Sequence, residues 1–264
     1  MANSQFLENK HTSGVYYKRD ITIVRGKGVL VWDQHGQEYI DCVAGQGVAN
    51  LGHCHPTVVD AIQKQAKILV TCPEIFYNDQ RAKLLEQLSA LGPGAMKQAF
   101  LCNSGTEAIE AAIKFARIST KRTEIISALR SFHGRTMGAL TLTGQKKYRT
   151  PFAPLLPDIK QIPYNNIEAL RNTVTQDTAA VILEIIQGEG GVRPANIKFL
   201  QDAQALCKEK GALFIVDEVQ TGLGRTGKML ACNHYNIEPD TVSYTHLRAH
   251  ETDSYLVCRL LLEK

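Results

Sequence analysis

The spacing of apolar positions changes along the chain. In the first 50 residues, β-rich stretches at 21–24 and 28–32 and an extended stretch at 37–43, broken by a turn, predict a small β meander. After Pro56 the apolar residues recur at helical spacing, and a second helix is predicted to begin at an N-cap, Asp79. Beyond this helix, strands and helices are predicted to alternate.

Four of the later segments are short and apolar, as expected for buried strands. These strands are predicted at 98–102, 124–129, 179–186 and 212–216, with helices at 106–118, 166–174 and 196–210. Strands that are apolar on both faces and alternate with helices predict an α/β fold, a mainly parallel sheet with helices on both faces. Ligands bind such sheets beyond the carboxyl ends of the strands, so the residues after each strand form the candidate site.

The composition is that of an ordinary globular protein. Of the 264 residues, 44% are hydrophobic and 21% charged, with a formal net charge of +4. These values exclude a disordered chain and favour neither nucleic acid nor a membrane as partner. The apolar runs are far shorter than the roughly 18 residues of a membrane helix. The seven cysteines form no Cys-x-x-Cys pair, so we expect a reduced, cytoplasmic protein without a disulfide framework or metal site.

Two strand ends carry residues suited to a phosphate and a flat ring. The first strand is followed by 103–108 (NSGTEA), in which Ser104 and Glu107 have capping-box spacing. A glycine at a helix start bares backbone N–H groups that suit phosphate, although a plain helix cap is the alternative. After the second strand, Phe132 can stack on a ring and Arg135 can hold a carboxylate. The alternative is a core aromatic and a solvated charge.

The other two strand ends carry carboxylates. Glu189 lies among three glycines and is either a turn residue or the partner of a cationic group. Asp217 follows the last buried strand, where a carboxylate is costly unless a positive or protonated group meets it. A structural aspartate that caps the next turn is the alternative reading of Asp217.

Two further motifs resemble nucleotide or metal sites but lack necessary features. The stretch 222–229 (GLGRTGKM) matches G-x-G-x-x-G and also a phosphate loop, yet Met229 stands where a hydroxyl is needed to bind magnesium. The acidic strand precedes this loop, and no second strand with an acidic end follows it. Residues 53–55 (HCH) are adjacent in sequence and cannot comfortably share one metal ion.

Five ordered stretches resemble a single family. They are 47–56 (GVANLGHCHP), 103–108 (NSGTEA), 132–137 (FHGRTM), 184–191 (EIIQGEGG) and 217–227 (DEVQTGLGRTG). Together they are similar to the class III pyridoxal-phosphate aminotransferases, from about residue 15 to residue 241. Within that family the chain most resembles the branch that acts on acetylornithine or on carrier-bound lysine. The resemblance implies part of a fold-type-I large domain, preceded by the N-terminal meander.

The resemblance implies that six residues hold pyridoxal phosphate: Gly105, Thr106, Phe132, Asp217, Val219 and Gln220. Gly105 and Thr106 would bind its phosphate, and Phe132 would stack on its pyridine ring. Asp217 would pair with the ring nitrogen and keep it protonated, so that the ring withdraws electrons from the substrate. Gln220 would approach the phenolic oxygen of the ring.

The resemblance also implies the substrates. Arg135 would hold a substrate carboxylate, and Glu189 would lie on the substrate side of the site. The reaction would be ping-pong transamination from an N-acylated ornithine, or a similar ω-amine such as carrier-bound lysine, to 2-oxoglutarate. Such a reaction serves arginine or lysine biosynthesis, and family members act as homodimers.

This sequence departs from the family near its end. Family members carry a lysine shortly after the strand of Asp217, which forms a Schiff base with the cofactor. No lysine lies between Lys228 and Lys264. We therefore assign no catalytic residue and expect the chain to be inactive.

The departure also defines the expected organisation of the chain. We expect an N-terminal segment at 1–50, an incomplete cofactor-binding domain at 51–242 and a foreign, non-family tail at 243–264, with the C-terminal small domain absent. A genuine divergent tail is the alternative. Two other functions remain open: a non-catalytic relative that binds a phosphorylated ligand or a partner chain, and a nucleotide-binding protein that uses the loop at 222–228.

Overall fold

The first structural unit ends at Thr71 and contains the expected meander. The computed structural model describes residues 4–94, 96–245 and 258–262, and contacts within the chain divide it between Thr71 and Cys72. That boundary lies later in the chain than the expected limit at residue 50. The first unit contains α1 (Ser4–His11), β1 (Ile23–Lys27), β2 (Leu30–Asp33), β3 (Glu38–Ile40), α2 (Ala44–Gly47) and α3 (Pro56–Ala66), with β1, β2 and β3 in one antiparallel sheet.

The second unit alternates strands and helices. Its helices are α4 (Asp79–Leu91), α5 (Gly105–Thr120), α6 (Met137–Leu142), α7 (Lys146–Arg149), α8 (Ile167–Thr173) and α9 (Ile197–Lys210). Its strands are β4 (Gln98–Cys102), β5 (Glu124–Ala128), β6 (Ile159–Ile162), β7 (Thr178–Glu184), β8 (Ile186–Gln187), β9 (Arg193–Pro194), β10 (Leu213–Glu218), β11 (Thr241–Thr245) and β12 (Cys258–Leu262). None of the helices in the described part of the chain combines the length and the apolar character of a membrane span.

Seven strands of the second unit form one sheet in the order β4-β12-β11-β10-β7-β5-β6. The pairs from β11 to β6 are parallel, and β12 runs antiparallel to both of its neighbours. Strand β4 therefore points in the same direction as β11. The carboxyl ends of β4, β5, β7, β10 and β11 consequently meet at one edge of the sheet, as the sequence predicts for a ligand site.

The side chains of alternate residues in the central strands pack into two separate hydrophobic cores. In β10, Phe214 and Val216 pack into the core that contains Phe199 of α9, whereas Ile215 packs into the core that contains Ile109 of α5. Side chains on a strand point to opposite faces in turn, so a sheet with apolar residues at consecutive positions must be covered twice. The predicted α/β fold with helices on both faces is confirmed.

Several element boundaries differ from the sequence-based prediction. Helix α4 is capped by Asn78 rather than Asp79, because the Asn78 side chain accepts the N–H of Arg81 at 2.9 Å. Strand β10 continues to Glu218, so Asp217 lies within the strand instead of after it. Helix α6 was missed because five of its six residues are buried, which leaves no polar face to produce a helical pattern.

The turn that follows β5 packs closely against Gly144, two residues after the end of α6. The Gly144 N–H donates to the carbonyl of Ser131 at 2.8 Å. A Cβ at Gly144 would lie 2.2 Å from the backbone nitrogen of Arg130 and 2.7 Å from the carbonyl oxygen of Ala128. Both atoms belong to the backbone and cannot rotate away. Only glycine fits at position 144.

We predict that Gly144→Ala lowers the free energy of unfolding by about 3 kcal/mol, because the added methyl group must displace buried backbone. Gly188→Ala is the matched control, since a Cβ at Gly188 meets nothing within 4 Å; we expect it to change stability by less than about 1 kcal/mol. Urea unfolding of both variants measures the difference. Equal stabilities would contradict the packing described here.

Candidate active site

The loop at residues 131–136, here called the Phe132 loop, connects the candidate residues from different strands. It follows β5 and makes hydrogen bonds to the start of α5, to the end of β7 and to the end of β10. These bonds link Thr106, Phe132 and Asp217 in one network. The structure therefore brings together the three residues implied to bind the phosphate, ring and ring nitrogen of one cofactor.

The start of α5 offers free donors, as the glycine in this segment predicts. Ser104 is the N-cap, and its hydroxyl accepts the N–H of Glu107 at 3.4 Å. The Glu107 carboxylate accepts the N–H of Asn103 instead of that of Ser104, so only half of the expected capping box forms. The N–H groups of Gly105 and Thr106 lie in the first helical turn, where the helix itself provides no acceptor.

The Phe132 loop approaches α5 closely through Gly134. The hydroxyl oxygens of Thr106 and Thr136 are 2.7 Å apart, and the Thr136 N–H donates to the Thr106 hydroxyl at 3.2 Å. Gly134 has φ +134°, and a Cβ there would lie 2.3 Å from the Thr106 hydroxyl oxygen. A residue with a side chain would therefore separate the loop from the start of α5.

Asp217 is compensated by a histidine that the sequence analysis did not single out. Asp217 is 5% exposed, and its Oδ2 lies 2.7 Å from Nδ1 of the buried His133. Its Oδ1 accepts the hydroxyl of Ser243 at 3.0 Å and the N–H of Val219 at 3.1 Å. Burial alone would lower the pKa of His133, but the hydrogen bond and charge of Asp217 outweigh it and raise that pKa.

A second buried carboxyl group lies beside this pair. Glu184, at the end of β7, accepts the N–H of Phe132 at 3.2 Å and is 7% exposed. Burial raises the pKa of Glu184 to about 8; His133 opposes this rise and Asp217 adds to it. Glu184 is therefore mainly protonated at neutral pH. It lies within the EIIQGEGG stretch, but a glutamate that ends an apolar strand did not by itself indicate a buried acid.

The remaining implied residues lie on loops at the same edge of the sheet. Val219 contributes its backbone N–H to Asp217 and is half-buried. Arg135, Glu189 and Gln220 are exposed, and the carbonyl of Glu189 accepts a hydrogen bond from the Gln145 amide at 3.4 Å. Because these three side chains are exposed to solvent, a substrate could reach them.

The glycine loop at 222–228 differs from a nucleotide-binding loop. The loop is followed by a bend and by a single 3-10 turn at Ala231–His234. A nucleotide-binding loop would be followed by an α-helix. The buried Glu218 carboxylate accepts the N–H groups of Ala231 and Cys232 at 2.6 and 2.8 Å. An anion from the chain itself thus occupies the donors that begin this turn, which argues against a phosphate there.

The HCH motif of the first unit makes a local hydrogen bond. His53 Nε2 lies 2.7 Å from Asp41 Oδ2. Among the residues that the structure describes, no group of three or more His, Cys, Asp or Glu side chains could hold a metal ion.

Comparison with known proteins identifies the family. The model of the family described as aminotransferase class-III matches residues 13–246. The chain belongs to the class-III aminotransferases. The match extends a few residues past the limit at 241 that the motifs gave. The suspected family is confirmed, and pyridoxal phosphate is the cofactor that this family uses.

Curated relatives and solved structures agree with this family. The chain is 52% identical over 88% of its length to a LysW-aminoadipate semialdehyde transaminase of Deinococcus radiodurans, and 45% identical over 89% to an acetylornithine aminotransferase of Methanopyrus kandleri. It spans 55% and 61% of the lengths of these two relatives.

The fold also matches that of a solved aminotransferase. The ornithine aminotransferase of Toxoplasma gondii, solved with partial occupancy of pyridoxal phosphate, superposes with a TM-score of 0.87 at 30% identity. The superposition covers 98% of this chain and 62% of that one. The expected partial large domain of an aminotransferase is therefore the observed fold.

We predict that Glu184→Gln removes a pH dependence of stability. The folded state holds a proton on Glu184 up to about pH 8, whereas an unfolded glutamate loses it near 4.5. Stability should therefore fall as pH rises through that window, by up to about 1.4 kcal/mol per pH unit. Urea unfolding between pH 5 and 9 should show a flatter profile for the variant.

Glu189→Gln is the matched control for this experiment, because Glu189 is exposed in the same stretch of sequence. We expect its stability profile to parallel that of the unmodified chain. A Glu184→Gln profile as steep as the control would show that Glu184 is ionised in the folded state.

Proposed function

We propose that this chain carries the cofactor-binding part of a pyridoxal-phosphate aminotransferase. One observation supports the proposal above all others. The Phe132 loop hydrogen-bonds to Thr106 at the start of α5 and, through His133, to Asp217 in β10. A helix start suited to phosphate, an aromatic ring and a buried carboxylate thereby belong to a single site.

The residues present fit the cofactor. An ionised carboxylate can accept about four hydrogen bonds, and Asp217 accepts them from His133, Val219 and Ser243. Counting donors from the described residues, one acceptor position therefore remains for a protonated ring nitrogen. The N–H groups of Gly105 and Thr106 would hold the phosphate, as helix starts do.

Each residue has a distinct proposed task. When bound, pyridoxal phosphate supplies an electron sink for the carbon that bears the substrate's amino group. Asp217 holds the proton on the ring nitrogen, and Phe132 packs against the ring. Gln220 would approach the phenolic oxygen of the ring, and Val219 holds Asp217 through its N–H.

The substrates follow from the relatives. Arg135 would bind a substrate carboxylate through two parallel hydrogen bonds, with Glu189 on the substrate side. We propose an ω-amine of an N-acylated ornithine or of carrier-bound lysine as donor and 2-oxoglutarate as acceptor, in arginine or lysine biosynthesis. The names of the Deinococcus and Methanopyrus relatives support both donors.

We propose that the full-length protein is a cytoplasmic homodimer. None of the cysteines with described side chains forms a disulfide, and thiols that stay reduced are typical of proteins of a reducing compartment. Homodimers are the assembly that the family resemblance implies.

Cofactor binding can be tested with pyridoxamine phosphate, which carries the same ring and phosphate but forms no covalent bond with lysine. We predict that the chain binds it and that Asp217→Asn weakens binding about 10- to 100-fold, since a charge-assisted hydrogen bond contributes roughly 1.5–3 kcal/mol. Equilibrium dialysis measures both dissociation constants.

Asp202→Asn is the matched control, because Asp202 pairs with Lys198 on the surface of α9; it should bind as the unmodified chain does. Parallel dialysis with ATP tests the loop at 222–228. Equal binding by the Asp217 and Asp202 variants, or tighter binding of ATP, would contradict the proposed function.

We predict that the 264-residue chain binds the cofactor without sustained transamination, because no lysine lies between Lys228 and Lys264 to react with it. Incubation with acetylornithine, 2-oxoglutarate and pyridoxal phosphate should yield no more glutamate than the same mixture without protein. Continuous glutamate production proportional to protein concentration would contradict this prediction and show that another group performs the task of the lysine.

A further inference from the structure

The hydroxyl of Thr106, at the start of α5, is hydrogen-bonded twice to one residue of the Phe132 loop, Thr136. The Thr136 N–H donates to the Thr106 hydroxyl oxygen at 3.2 Å, and the two hydroxyl oxygens lie 2.7 Å apart. A hydroxyl group donates one proton and accepts at two positions. The direction of the bond between the two hydroxyl groups therefore decides whether Thr106 has a proton to offer a ligand.

Thr136 occupies the N-cap position of α6, but its side chain does not cap the helix. An N-cap threonine ordinarily accepts the N–H of the second or third residue of its helix. In α6 these residues are Gly138 and Ala139, and the carboxylate of Glu110 on α5 accepts both N–H groups, at 2.9 and 3.2 Å. Glu110 thus takes over the capping of α6, and the Thr136 hydroxyl is turned toward Thr106 instead.

Two glycines allow α5 to approach the chain on both sides of Thr136. A Cβ at Gly134 would collide with the Thr106 side chain, and a Cβ at Gly138 would collide with the carboxylate of Glu110. Thr106 and Glu110 lie one turn apart on the same helix. The two contacts therefore hold Thr136 against the start of α5 before any ligand binds.

A phosphate ester places a specific demand on the Thr106 hydroxyl. At neutral pH such a group carries a charge near −2 and offers strong acceptor oxygens, so a hydroxyl contacts it as a donor. If Thr106 donated to Thr136, it would have no proton left for the phosphate. If Thr106 accepts both the N–H and the hydroxyl of Thr136, its two acceptor positions are filled and its proton is directed away from Thr136.

We propose that Thr136 is a positioning residue that donates both its N–H and its hydroxyl to Thr106, so that the Thr106 hydroxyl meets the cofactor's phosphate only as a donor. This inference rests on the proposed function, because it concerns the phosphate that Thr106 would bind. Thr136 acts through Thr106 and is not itself assigned a contact with the cofactor.

Two substitutions of Thr136 separate its hydroxyl from the rest of the residue. Valine has the shape of threonine and keeps the N–H but has no hydroxyl, whereas serine keeps the hydroxyl. We expect Thr136→Val to bind pyridoxamine phosphate roughly 3- to 10-fold more weakly than the unmodified chain, the effect of about one hydrogen bond, and Thr136→Ser to bind within about 2-fold. Equilibrium dialysis measures the dissociation constants.

Thr173→Val is the matched control, because the Thr173 hydroxyl donates to the carbonyl of Ala169 within α8, at 2.7 Å. Thr173 ends α8 just before β7 begins, at the edge of the sheet opposite the site. We expect this variant to bind pyridoxamine phosphate as the unmodified chain does.

A double-substitution cycle tests whether Thr136 acts through Thr106. Thr106→Val removes the hydroxyl that Thr136 would orient, so we expect this variant and the Thr106→Val, Thr136→Val double variant to bind pyridoxamine phosphate equally. Such non-additivity is the signature of two groups that act as one unit. Losses that multiply would show that Thr136 acts on the ligand or on the fold independently of Thr106, and would overturn the proposal.

The outcomes distinguish this inference from the proposed function. An unmodified chain that fails to bind pyridoxamine phosphate overturns the proposed function, and the inference with it. An unmodified chain that binds, together with a Thr136→Val variant that binds equally well, overturns the inference alone. Thermal unfolding identifies a variant that has lost its fold, and Thr136→Ala, which lacks the same hydroxyl, then replaces Thr136→Val.

Discussion

A carboxylate buried within a central strand is the constraint on which this site depends. Asp217 is 5% exposed, and an ionised group in that position is tolerated only with donors on both oxygens. These donors come from three places: His133 on the loop after β5, Ser243 on β11 and Val219 at the end of β10 itself. Satisfying this one carboxyl group therefore brings three segments to fixed positions.

The second buried acid is compensated in a different way. Glu184 accepts the N–H of Phe132, but its environment contains the negative charge of Asp217, and burial raises its pKa to about 8. The partner of Asp217 is the ring of a buried histidine, whereas the partner of Glu184 is a backbone N–H. These two carboxyl groups are in register on neighbouring strands, and the proton that Glu184 holds at neutral pH limits the negative charge around the site.

The sequence predicted the architecture, and the structure brings Thr106, Phe132 and Asp217 into one hydrogen-bond network, but the sequence did not predict the partners of these residues. Apolar runs on both faces of the strands require two helical layers. The capping-box spacing of Ser104 and Glu107 indicates the start of α5. His133 was not singled out, because its role depends on a bond to a residue 84 positions away, and one sequence contains no signal for such a pairing. Helix α6 was missed because burial on all sides removes the periodicity on which helix prediction depends.

The position of α5 relative to Asp217 is determined by two independent connections. One runs through the sheet: β4 joins the other strands through β12, and β12 joins β11, which is the neighbour of β10. At about 4.8 Å per strand, these steps place the start of α5 roughly 14 Å across the sheet from the strand of Asp217.

The other connection runs through the Phe132 loop, which bonds to Thr106 at one end and to Asp217 through His133. The loop follows β5, which lies beyond β7 on the opposite side of β10, so its bonds do not depend on β12. The site that we propose to hold a phosphate and a ring nitrogen at a fixed separation is thereby supported from both sides of the central strand.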